Sequence, residues 1–126
     1  SESLGLKDHI TFAGWRNDIG RLMSGSDICT ASSIREGFGI NLVEAMYCGL
    51  PVVASDNRGH RMIIENTKNG YIVNLKNSEE MAARVQTLLH NPRLYQQMSN
   101  IDVSQYNCLH AAEELFGTIS KIVDNI

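Results

Sequence analysis

The sequence predicts an α/β fold in which a parallel sheet is flanked by helices. Three observations lead there. Short β-rich runs alternate with helical stretches along the chain. The connections between them are short. The runs at 27–32 and 51–55 are apolar without clean polar alternation, as expected of strands covered on both faces.

Each element has its own signal. Ile10-Thr11-Phe12-Ala13-Gly14 is β-rich and ends on glycine, which predicts a first strand. Asn17 or Asp18 is placed to cap a short helix through about Ser24. Asp27 to Ser32 predicts a second strand, and Ser33 to Gly39 a loop with two glycines. Ile40 to Cys48 reads as a helix. Gly49 sits where a left-handed cap belongs, and Pro51 prevents continuation. Pro51 to Ser55 is a third, buried strand. A short helix over Arg58 to Glu65 leads to an Asn69-Gly70 turn, and Tyr71-Ile72-Val73 is a fourth strand. Ser78 is placed to cap the next helix, with Glu79 and Glu80 set favourably against its dipole. Asn91 and Pro92 restart the helix as cap and first residue. Ser104 opens a final helix to about Asp124. Its apolar positions Ala112, Leu115, Phe116, Ile119, Ile122, Val123 and Ile126 recur at helical spacing, so one face must be buried. The expected organisation is an α/β core over 1–103 and a C-terminal helix over 104–126.

Composition narrows the function. The chain has 126 residues, 43% hydrophobic and 20% charged, with a formal net charge of −3. That is enough for one domain with a core. Mild acidity and scattered Lys and Arg argue against nucleic acid as a partner. No apolar run is long enough for a transmembrane segment, and the first residues carry no signal-peptide pattern. Cys29, Cys48 and Cys108 are odd in number and widely spaced, so reduced thiols in a cytoplasmic protein are expected. His9, His60, His90 and His110 show no ligand spacing, and no metal site is expected.

The chemistry concentrates in Ser33-Ile34-Arg35-Glu36-Gly37-Phe38-Gly39-Ile40-Asn41-Leu42-Val43-Glu44. A glycine loop leaves a buried strand and runs into a helix N-terminus, whose first-turn N–H groups are unpaired and partly positive. Gly37 and Gly39 let a ligand approach the backbone, so the place suits phosphate without a basic side chain. It also lies at the carboxyl end of a parallel strand, where open α/β sheets bind ligands. Glu36 falls in the loop and Glu44 about one turn into the helix, flanking the anion site. Carboxylates accept hydrogen bonds from hydroxyls. A nucleoside diphosphate sugar has that form, anionic at its centre and hydroxyl-rich at both ends. Taken singly, Glu36 reads equally as a solvated loop charge, Glu44 as a surface helix residue and the glycines as turn formers. A dinucleotide fold is disfavoured because G-x-G-x-x-G is missing.

The run Glu36-Gly37-Phe38-Gly39-Ile40-Asn41-Leu42-Val43-Glu44-Ala45-Met46-Tyr47-Cys48-Gly49-Leu50-Pro51-Val52-Val53-Ala54 closely resembles the donor signature of retaining GT-B glycosyltransferases of family GT4, E-G-F-G-x-x-x-x-E-A-M-A-x-G-x-P-V-V-A. Phe12-Ala13-Gly14, Ser26-Asp27-Ile28, Arg58-Gly59-His60 and Asn69-Gly70-Tyr71-Ile72-Val73 resemble further family segments, and the likeness spans residues 9 to 116. It implies a Rossmann-like parallel sheet, the incomplete C-terminal half of a GT-B fold with a helical tail.

The resemblance also implies roles. Glu36 would bond hydroxyls of the donor sugar, positioning it rather than acting as a nucleophile. The N–H groups of Phe38, Gly39, Ile40 and Asn41, opened by Gly37, would hold the diphosphate. Glu44 would bond the ribose hydroxyls. Trp15 lies where members meet the base, or else it packs. Arg58 and His60 would approach phosphates or sugar, or else serve as ordinary surface residues. The implied reaction transfers a hexose from a nucleotide-diphosphate sugar, UDP- or GDP-linked, with retention and without a metal or other cofactor.

Two departures stand beside the motif. Ser32 replaces a common Pro, and Tyr47 stands where a small Ala is frequent. The family's first, acceptor-binding domain and its Arg/Lys pair have no counterpart here, so the chain alone is expected to be inactive. The intact enzyme is expected to be cytoplasmic, peripheral at the inner membrane face. An alternative is a stand-alone nucleotide-binding or assembly module acting with a partner chain. On that reading the last helix offers an apolar surface for a homodimer.

Overall fold

The structure, a computed structural model, describes residues 2–107. Its regular elements are α1 (Ile19–Ser24), β1 (Cys29–Ala31), α2 (Ile40–Tyr47), β2 (Val52–Ser55), α3 (Arg58–Ile63), β3 (Tyr71–Val73), α4 (Ser78–His90) and α5 (Pro92–Ser99). The strands form one parallel sheet in the order β1-β2-β3. Cys29 pairs with Val52, and Val53 pairs with Tyr71.

Side chains alternate across a strand, so the sheet builds a core on each face. On one face Ala31, Val52 and Ala54 meet Leu42, Ala45 and Met46 of α2 and Ile63 of α3. On the other, Val53, Tyr71 and Val73 meet Leu88 of α4 and Met98 of α5. This three-layer arrangement carries out the expected α/β fold. Central β2 is buried at all its positions, as its apolar run predicts. Burial also raises the Cys29 thiol pKa above its ordinary value, which keeps the thiol protonated.

The helix-ending signals hold where the sequence placed them. Gly49 has φ +78°. Its N–H donates to Met46 O at 2.9 Å, and Leu50 N–H donates to Ala45 O at 3.0 Å. These two bonds make a Schellman cap, and they turn the chain straight into β2. The Asn91 side chain caps α5, with Pro92 at its start.

Several expectations are corrected. Residues 10–14 form no strand: Ile10 is 42% exposed and Phe12 81%, and the described sheet has no neighbour for them. A strand without a ladder partner leaves its backbone to water. The 27–32 strand shrinks to Cys29–Ala31, at an edge of the described sheet, and Thr30 is exposed, so it is not covered on both faces. Asp18 stands before α1 but makes no capping bond; its carboxylate is held by Arg16 at 2.7 and 2.6 Å. α4 is capped by Asn77 rather than Ser78, through Glu80 N–H to Asn77 Oδ1 at 3.0 Å. Asn77→Ala is therefore expected to destabilise the chain by about 1 kcal/mol while Ser78→Ala changes it little, as read from urea midpoints. Residues Ser104–Tyr106 form one 3-10 turn and Asn107 is extended, so the last helix does not begin at Ser104. The rest of that helix, from 108 to 126, lies outside the described residues. Among the described residues no helix is long and apolar enough to cross a membrane.

Candidate functional site

The loop 32–39 leaves the carboxyl end of β1 and enters α2, and it is held at three points. Its start is pinned by Ser33 O, which accepts from Ser55 Oγ at 2.6 Å and from Asn57 Nδ2 at 2.9 Å. Both donors sit where β2 gives way to α3. The same Asn57 caps α3, its Oδ1 accepting from His60 N–H at 3.0 Å. The middle of the loop rests on Gly59: a Cβ there would lie 2.6 Å from Glu36 O. The end turns on Gly39, whose φ of +87° lies in the left-handed region that glycine adopts without strain.

This path sets up the N-terminus of α2. No side chain caps it. Leu42 N–H is taken by Gly39 O at 2.9 Å, which leaves the first-turn N–H groups of Ile40 and Asn41 without intrahelical acceptors. Gly37 has open space where a Cβ would stand. The Phe38 ring turns away to meet Tyr106 edge-on, with centroids 5.8 Å apart at 69°. The result is a strip of backbone from Gly37 to Asn41 at the positive end of a helix dipole.

The two carboxylates differ in setting. Glu36 is half-buried beside this strip, and its carboxylate takes no hydrogen bond from any described residue. Glu44 is exposed on α2 and opens on a cavity of about 1080 Å³ between α1, α2 and residues 99–107. That cavity is walled by Ile19, Met23, Met46, Tyr47 and Val103 and does not include the loop itself.

The remaining candidates are spread more widely. Trp15, 91% exposed, lines a separate cavity of about 450 Å³ with Arg16, Asn17, Asp18 and Arg21. There the Arg16 guanidinium holds the Asp18 carboxyl below its ordinary value. Arg58 is exposed at the first residue of α3. His60 is fully buried. The structure thus brings Glu36, Gly39, Gly59 and His60 together and leaves Gly37, Phe38 and Ile40 exposed beside them. Ser55, Asn57 and Tyr106 complete the support and escaped the sequence reading. An Asn just before a short helix was the one available signal, as a capping residue. Among the described residues no group of three or more His, Cys, Asp or Glu is placed to hold a metal ion.

Comparison with known proteins adds an independent line. The family model described as Glycosyl transferases group 1 matches residues 1–102. The chain is 43% identical over 94 residues to EpsD of Bacillus subtilis (strain 168), covering 75% of this chain and 25% of that protein. It is 39% identical over 94 residues to the phosphatidyl-myo-inositol mannosyltransferase of Mycobacterium leprae (strain TN), covering 72% and 25%. Among solved structures, Anabaena Alr3699/HepE in complex with UDP and glucose superposes with a TM-score of 0.84 at 29% identity, over 95% of this chain and 34% of that one. The chain therefore spans about a quarter to a third of the length of these relatives.

Proposed function

Because the chain belongs to the glycosyl transferases group 1 family, we propose that the loop 32–39 and the start of α2 hold the nucleotide-sugar donor of a sugar transfer. The observation that carries this reading is the backbone strip Gly37–Asn41 beside the unpaired Glu36 carboxylate. The diphosphate sits on the N–H groups of Phe38 to Asn41, the sugar hydroxyls on Glu36 and the ribose hydroxyls on Glu44. Exposed Arg58 approaches the phosphates, and exposed Trp15 meets the base. The donor is a UDP-linked hexose; complexes of HepE with UDP and with UDP-glucose support the choice of uridine.

The chemistry follows from charge. As the bond from the sugar's anomeric carbon to the diphosphate oxygen breaks, negative charge grows on the leaving group. A helix N-terminus already aimed at that oxygen stabilises the charge without reorganising. Glu36 fixes the sugar through its hydroxyls while an acceptor hydroxyl oxygen attacks from the side the diphosphate leaves and gives its proton to the departing phosphate oxygen, so configuration is retained. The acceptor is held by another domain of a longer cytoplasmic protein, and this chain alone does not turn over.

A calorimetric panel of UDP-, GDP- and ADP-sugars on the protein of the full reading frame tests the donor. UDP-glucose is expected to bind most tightly. Binding of GDP-sugars alone replaces uridine with guanosine, and absence of binding by every nucleotide sugar overturns the reading.

A further inference from the structure

We infer that His60 is a positioning residue for Glu36: its buried ring seats the Gly39 turn of the loop that carries Glu36. This rests on the donor-site reading above.

The tautomer follows from the hydrogen bonds. His60 is 0% exposed. Its Nδ1 lies 2.7 Å from Ser55 O and 2.9 Å from Asn57 Nδ2. A carbonyl can only accept, so Nδ1 carries the ring proton and donates it to Ser55 O. Asn57 Nδ2 donates to Ser33 O instead, at 2.9 Å. Nε2 is buried and has no partner among the described residues.

The other edge of the ring faces the loop. Cδ2, the carbon bonded to Nε2, lies 3.2 Å from the point where a Gly39 Cβ would stand. Glu36 Cγ lies 3.6 Å from that same point. Both therefore border Gly39, the residue on which the loop turns into α2. The ring is fixed from behind by Ser55 O and its backbone by the Asn57 cap, so it forms a rigid floor under that turn. The loop that carries Glu36 is thereby held in one place against α3, where Gly59 also meets Glu36 O.

The test uses the protein of the full reading frame, with UDP and UDP-glucose as probes. His60→Asn keeps an amide N–H near the Nδ1 position and removes the edge under Gly39. UDP does not reach Glu36, so its affinity is expected to stay within about twofold. The advantage of UDP-glucose over UDP should fall by about tenfold, and kcat should fall more than KM changes. Parallel losses of UDP and UDP-glucose binding, or no loss at all, overturn the inference. Should the variant fail to fold, the wild-type ring is read directly by long-range nitrogen NMR. A proton held on Nδ1 is expected with and without UDP-glucose, and a bare Nδ1 overturns the inference. Wild-type protein that binds no UDP-glucose instead overturns the donor-site reading itself.

Discussion

Gly59→Ala is expected to lower sugar transfer by roughly a hundredfold while leaving the protein folded. The added Cβ would stand 2.6 Å from Glu36 O, 2.9 Å from Glu36 C and 3.1 Å from Glu36 Cβ. Two of these are backbone atoms, which cannot swing aside as the end of a flexible side chain can. The loop must therefore lift off α3 and carry Glu36 with it. Gly59 lies within α3, where alanine is the better helix former by about 1 kcal/mol, and this offsets part of the local cost. Steady-state kinetics on the protein of the full reading frame, beside a thermal melt, check the expectation. Unchanged kcat/KM would mean that the placement of the loop does not govern transfer.

Glu44→Ala has the second large effect. Glu44 is exposed and is tied through its backbone, its carbonyl accepting from Cys48 N–H at 3.0 Å, so loss of its side chain leaves the core intact. The loss falls on the ligand: ribose hydroxyls buried against the protein would lack their acceptor. That costs about 1–3 kcal/mol, or roughly 5- to 150-fold in affinity for UDP. Calorimetry with UDP, comparing the two proteins, measures it. Equal affinities remove Glu44 from the ribose site.

The front of the candidate site was legible in the sequence and its support was not. Glycines at 37 and 39, a helix beginning at 40 and the Gly49–Pro51 stop are local signals, and each acts within a few residues of where it is written. β2 and β3 were legible for the same reason, as short apolar runs between turn residues. The failures all depend on distant partners. Residues 10–14 carry strand composition, but a strand is made by its neighbour. Cover on β1 depends on which helices pack on its two faces, and Ala31 clusters with Leu42, Ala45 and Met46 of α2 while Thr30 is left exposed. The choice of Asn77 over Ser78 as cap reflects a cluster in which Asn74 and Asn77 both donate to Glu80. Ser55 and Asn57 reach Ser33 from 22 and 24 residues away, a link no motif announces. His60 is polar and would ordinarily be placed at the surface, yet Ser55 O and the glycine loop enclose it.

If the start of α2 and the glycine loop before it hold the donor, nuclear magnetic resonance of the nitrogen-labelled chain titrated with UDP locates it residue by residue. The largest amide shifts are expected at Gly37 to Asn41, with Glu44 next and α4 and α5 unmoved. Shifts concentrated on α4 or α5, with residues 37 to 44 silent at saturating UDP, would overturn the assignment.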